Sequence, residues 1–127
     1  GVLVGGNLSV LMGLRGSQYD LDYSGKILFI EDIAEKSYHI DRMMQNLRFS
    51  GVLSQLSGLI VGHFTDCPED PLMMKTVRKI ILDNVGNADI PVCFGFPAGH
   101  EDENLPLVLG REVHLSVGDE NTRLKYD

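Results

Sequence analysis

The sequence has no tryptophan, only two cysteines, and 11 basic residues against 18 acidic ones. Each shortage excludes something. A net charge of -7 argues against a nucleic-acid backbone as the main partner, because phosphate binding needs clustered positive charge. It argues equally against an anionic membrane surface. No run of 18 apolar residues occurs, so no transmembrane helix is expected. Cys67 and Cys93 show no CxxC spacing. A disulfide framework is therefore not expected, and a reducing, cytoplasmic compartment fits. The chain opens on Gly1-Val2-Leu3-Val4-Gly5-Gly6, with no initiator Met, no basic n-region and no long apolar h-region. That start does not read as a signal peptide. It fits a chain that begins partway through a longer protein.

Most motifs that announce chemistry are missing too. There is no GxGxxG, no P-loop, no HExxH and no GxSxG, so neither phosphate cradling nor a nucleophile elbow has direct support. His39, His63, His100 and His114 lack zinc-ligand spacing, and the acidic run 101–103 is too short for an EF-hand. No metal and no organic cofactor are expected.

What is present is an ordinary globular composition, 43% hydrophobic and 23% charged over 127 residues. That is one domain, long enough to bury roughly two-thirds of its unfolded surface. Short apolar runs alternate with helical spacing, which predicts an α/β domain with a mostly parallel or mixed sheet. Val2-Leu3-Val4 reads as a strand stopped by Gly5-Gly6, and Asn7 as the cap of a helix over 8–14. Lys26 to Ile30 is a buried strand. Ile40, Met43, Met44 and Leu47 fall on one helical face, capped by Ser37, with Gly51 leading into a second short helix. Leu59-Ile60-Val61 is a third strand. Asp70-Pro71 predicts a helix start, with Met74, Val77, Ile81 and Val85 as its apolar stripe up to Gly86. Ile90 to Phe96 is a fourth strand. Val113, Leu115 and Val117 alternate with polar residues and predict a hairpin with 122–126.

Two stretches could carry chemistry. In Phe29-Ile30-Glu31-Asp32, carboxylates follow an apolar strand, where α/β proteins place polar groups. The competing reading is charge at a helix start. In Gly95-Phe96-Pro97-Ala98-Gly99-His100, a histidine on a tight loop is held yet accessible, as a general base must be. The competing reading is a surface loop histidine. His114 sits on the polar phase of a strand, His39 reads as structural, and His63 could line a cleft.

Taken in order, Gly5-Gly6-Asn7-Leu8-Ser9, Leu28-Phe29-Ile30-Glu31-Asp32 with Glu35 and Tyr38, Ile40-Asp41-Arg42-Met43 and Gly95-Phe96-Pro97-Ala98-Gly99-His100 resemble the C-terminal half of the LD-carboxypeptidases, or muramoyltetrapeptide carboxypeptidases. The microcin self-immunity peptidases belong to the same superfamily. The resemblance implies a swivelling β/β/α-type domain over residues 1–127. It also implies a serine peptidase with a Ser–His–Glu triad in which Glu31 is the carboxylate and His100 the base. The nucleophile would lie on a Gly-x-Ser-Asp turn of an N-terminal domain, and no such turn occurs here. None of the eight serines sits on a nucleophile-like turn, and Ser9 is the nearest substitute.

The implied function is hydrolysis of the L,D-peptide bond to the terminal D-Ala of murein tetrapeptide, in cytoplasmic cell-wall recycling. The implied partners are that N-terminal domain, the murein peptide and a second copy in a homodimer. Two alternatives stand beside it. One is a microcin-immunity-type peptidase that cleaves an acyl-sulfamoyl-nucleotide conjugate. The other is a non-catalytic domain that binds peptides or a protein. Arg15, Arg42 and Arg111 are candidate anchors for a substrate carboxylate, with Arg42 also able to pair with Asp41 or Glu35. A domain built to meet a partner should expose an apolar patch by the site, with Phe64, Phe94, Phe96 and Tyr38 as contributors. An open strand edge near Val2 would add to it.

Overall fold

The computed structural model describes residues 1–127. Four strands, β1 (Leu3–Asn7), β2 (Ile27–Ile33), β3 (Gly58–Thr65) and β4 (Val92–Cys93), form a parallel sheet in the order β1-β2-β3-β4. Helices connect them, as parallel neighbours require: α1 (Leu8–Leu14), then α2 (Ser37–Phe49) with α3 (Val52–Gln55), then α4 (Val77–Val85). An antiparallel hairpin, β5 (Val113–Val117) and β6 (Thr122–Tyr126), ends the chain. This is the predicted α/β class, with flanking helices and a terminal hairpin.

Strand alternation sorts the core into two layers. Leu28 and Ile30 of β2 and Leu59 and Val61 of β3 face the helices, in a cluster of 16 buried residues that includes Leu8, Ile40, Met44 and Ile81. Leu3, Ile27, Phe29 and Ile60 point the other way. They meet Ala98 and Val113, with Leu115, Leu124 and Tyr126 of the hairpin packed around them. The sheet is thus covered by helices on one face and by the hairpin with its leading segment on the other.

Several boundaries differ from the sequence expectation, each for a local reason. β1 runs through Gly5-Gly6 instead of stopping there. At Gly5 a Cβ would lie 1.9 Å from the Phe29 carbonyl oxygen, so the glycine permits β1 and β2 to pair at that point. β2 continues to Ile33, so Glu31 and Asp32 lie within a strand and not in a loop after one. Lys36, not Ser37, caps α2; the Ser37 hydroxyl instead donates to the Pro68 carbonyl.

Asp70-Pro71 starts a turn and not α4. Met74 takes a φ of 51° and breaks any helix there, and its side chain is exposed. The cap is Thr76, whose hydroxyl accepts from the Lys79 amide at 3.1 Å. β4 is only two residues long. The edge near Val2 is not open: Val2 bridges Glu112, and Leu3 donates to the Arg111 carbonyl and accepts from the Gly110 N–H.

The helix start yields a direct check. Thr76→Ala should lower unfolding free energy by about 1 kcal/mol, while Asp70→Ala should cost α4 no helicity. Leu28→Ala, in the larger layer, should cost about 2–5 kcal/mol. Urea unfolding followed by circular dichroism measures all three.

Candidate active site

Glu31 and Asp32 are adjacent on the central strand and therefore face opposite layers. Both are buried, at 6% and 1% exposure. A buried carboxylate needs partners, and the two find different ones.

Asp32 is held wholly by neutral donors. It accepts from the Asn7 amide, the Ser9 backbone N–H and the Ile33 N–H, each at 2.9 Å, while the Ser9 hydroxyl, shared with Asn7, lies 3.3 Å away. Asn7 meanwhile caps α1 by accepting from the Val10 N–H and the Ser9 hydroxyl. The ends of β1 and β2 and the start of α1 are thus tied at one point. Ser9 is fully engaged there and is not joined to His100.

Glu31 has one hydrogen-bond partner. Its Oε2 lies 2.7 Å from Nδ1 of His100, 69 residues away in sequence. An ionised carboxylate can only accept, so Nδ1 is the donor, and in the neutral imidazole Nε2 then keeps its lone pair. Glu31 is buried while the His100 side chain is 49% exposed. The imidazole therefore has one edge fixed against protein and the other open.

The segment that delivers His100 is tethered to β3. The Phe96 N–H donates to the Val61 carbonyl and the His63 N–H to the Ala98 carbonyl. The Thr65 hydroxyl reaches the His100 carbonyl and the Glu101 carboxylate, at 3.0 and 2.9 Å. Asn104 accepts from the Gly99 N–H. Around the pair is an open depression of about 420 Å³, walled by Phe29, Asn104, Leu105 and Leu107. A larger cleft of about 610 Å³, between residues 92–97 and the hairpin turn, contains neither Glu31 nor His100.

The remaining expected residues fall elsewhere. Arg15 is committed to Asp20, at 2.8 and 3.1 Å. Burial raises the Asp20 carboxyl pKa, but the Gly16 N–H and the Arg15 guanidinium more than offset it and hold it below its ordinary value. Arg42 is exposed and pairs with neither expected carboxylate, because Asp41 accepts from Gln45 and Asn84 and Glu35 contacts His39. Arg111 bonds the Asp127 carbonyl. No arginine lines the depression. His114 is an exposed partner of Asp127, as its strand phase predicts. His63 lies in β3, with a buried Nε2 that has no partner.

Of the four aromatics expected in an apolar patch, Tyr38 is exposed and the three phenylalanines are half-buried. Phe64 and Phe94 pack on the larger core and Phe96 on the smaller. Leu105, which lines the depression with His100, is exposed, and so are Val108 and Leu109 farther along the same run. A Leu-Pro-Leu-Val-Leu run at 105–109 was the available signal.

With the geometry in hand, the comparison with known proteins is direct. The sequence profile of the LD-carboxypeptidase C-terminal domain matches residues 1–115. The chain belongs to this family. The murein tetrapeptide carboxypeptidase of Pseudomonas aeruginosa is 30% identical over 127 residues, 99% of this chain and 40% of that one. The crystal structure of muramoyltetrapeptide carboxypeptidase from Oxalobacter formigenes superposes with a TM-score of 0.89 at 32% identity, covering 99% of this chain and 45% of that one. The microcin C7 self-immunity protein MccF of Escherichia coli is 32% identical over 124 residues, 95% of this chain and 35% of MccF. The chain thus spans about two-fifths of the length of the relatives it matches.

The two carboxylates of this LD-carboxypeptidase domain should differ sharply in what they do for stability. Asp32→Ala leaves three backbone or amide donors without an acceptor, at roughly 1–3 kcal/mol for each one that stays buried. Its cost should exceed about 3 kcal/mol in urea unfolding. Glu31→Gln, which keeps volume and loses one contact to an exposed imidazole, should cost less than about 1.5 kcal/mol.

Proposed function

We propose that this chain supplies the base and the carboxylate of a Ser–His–Glu triad to a serine-type LD-carboxypeptidase, which hydrolyses the L,D-peptide bond to the terminal D-Ala of murein tetrapeptide during cytoplasmic cell-wall recycling. The observation that carries this reading is the 2.7 Å contact between Glu31 and Nδ1 of His100, in a chain of carboxypeptidase lineage. The nucleophile comes from an N-terminal domain, in the part of the relatives' length that this chain does not span. A homodimer of the whole protein belongs to the same analogy.

A serine hydroxyl is a weak nucleophile until a base takes its proton. Nε2 of His100 does so as the serine oxygen attacks the scissile carbonyl. Glu31 stabilises the imidazolium and fixes its orientation without itself taking the proton. The imidazolium then protonates the leaving D-Ala amine, and water cleaves the acyl-enzyme by the same route in reverse. The chain's own residues thus hold and move one proton, and the reading calls on no metal or cofactor. Leu105 and Leu107 give the depression beside the imidazole an apolar wall.

The test is release of D-Ala from murein tetrapeptide by the full-length protein. Glu31→Gln and His100→Ala should each lower kcat by about 10⁴-fold, with little change in fold by circular dichroism. The 127-residue chain alone should show no turnover. Activity of that chain alone, lost in Glu31→Gln, would place the nucleophile within it and overturn the division of labour. Hydrolysis of an aminoacyl sulfamoyl nucleoside in preference to the murein peptide would assign the protein to the MccF type instead.

A further inference from the structure

The pairing of β2 with β3 skips one step beside Glu31. Ile30 pairs with Val61, and the next pair is Asp32 with Phe64. One residue of β2, Glu31, therefore faces two of β3, Gly62 and His63. Such a bulge bends its strand and re-aims what lies on it. Here it lies beneath the segment that carries His100. A Cβ on Gly62 would lie 2.4 Å from the Ala98 carbonyl oxygen and 2.7 Å from Cε2 of Phe29. Contacts below 3.0 Å force movement, and the first of these is to backbone, which cannot rotate away. The same carbonyl accepts from the His63 N–H. The 96–100 segment thus rests on bare backbone at Gly62 and is pinned on both sides of it.

We propose that Gly62 is a positioning residue for the Glu31–His100 pair: the missing side chain lets the Ala98–His100 segment descend onto the β3 bulge far enough for the imidazole to meet the carboxylate. Thr65 fixes the far end of the same segment through the His100 carbonyl. This inference rests on reading Glu31 and His100 as one catalytic pair, yet its geometric half is independent of any activity. Gly62 keeps a negative φ, so conformational freedom is not its role; a glycine is required there for space.

The experiment compares Gly62→Ala with Gly13→Ala, which adds the same methyl on α1 with nothing within 4 Å. In crystal structures of the full-length protein, Gly62→Ala should lengthen the Glu31–His100 contact beyond hydrogen-bond reach. In NMR spectra, the downfield proton of His100 Nδ1 should disappear. Gly13→Ala should do neither. On murein tetrapeptide, kcat should fall by about 10²-fold, with KM changed by less than about threefold.

Gly62→Ala with Phe29→Leu removes the ring contact but not the backbone one, so the loss should persist. Rescue by the second change would locate the effect in ring crowding and overturn the proposal. If Gly62→Ala does not fold, Thr65→Val tests the same support from its other end. It should weaken the Nδ1 resonance and lower kcat several-fold at unchanged melting temperature, and an unaltered resonance and rate would overturn the proposal. An intact contact in Gly62→Ala would also overturn it. A broken contact in Gly62→Ala, with no D-Ala release by the parent protein either, would leave the positioning role standing and remove the proposed function.

Discussion

Two neighbouring carboxylates at the end of the central strand constrain the rest of this domain. A pleated strand sends successive side chains to opposite faces, so Glu31 and Asp32 cannot share an environment. Each layer must supply its own polar solution inside an apolar core. The helix layer meets Asp32 with the Asn7 amide and the first turn of α1. The hairpin layer meets Glu31 with an imidazole brought from the far end of the sheet. The start of α1, the course of residues 96–100 and the bulge in β3 all follow from satisfying those two groups.

The two solutions differ in how completely each carboxylate is satisfied. Asp32 is held by the Asn7 amide and the Ser9 and Ile33 N–H groups, all neutral, with a share of the Ser9 hydroxyl, and is nearly inaccessible. Nothing about it can change without cost, so it serves as an anchor. Glu31 has a single titratable partner that opens onto a depression. A buried acceptor holding a half-exposed imidazole leaves one nitrogen free for proton exchange. That asymmetry arises from two adjacent residues of the same charge and nearly the same size.

Much of this was legible in the sequence, for identifiable reasons. Unbroken apolar runs located β2 and β3, and apolar periodicity located α2 and the hairpin, because burial dominates the energy of each. The Asn7 cap was legible because it is local. The start of α4 was misread because Asp70-Pro71 carries the chemistry of a cap, while Met74, three residues on, adopts a backbone conformation that no propensity predicts. The length of β1 was misread because Gly5-Gly6 usually ends a strand; here glycine permits close approach to Phe29. Glu31 and His100 were singled out from their strand-end and loop settings together with the order of the family motifs. The bulge opposite Glu31 and the role of Asp32 depend on contacts between distant segments and left no periodic trace. The apolar strap at 105–109 was visible as a run but had no partner in the sequence to explain it.

The two faces of the sheet are unequal in depth. Sixteen buried residues back the helix side, and six back the side that carries the hairpin and the His100 segment. Opening free energies within a fold follow such differences, and segments with few buried contacts open first. The hairpin and the 96–110 segment rest on the smaller cluster, while β2 and β3 contribute to both. The His100 imidazole belongs to the shallower of the two layers. The Glu31 carboxylate that it meets stands on β2, a strand that both layers bury.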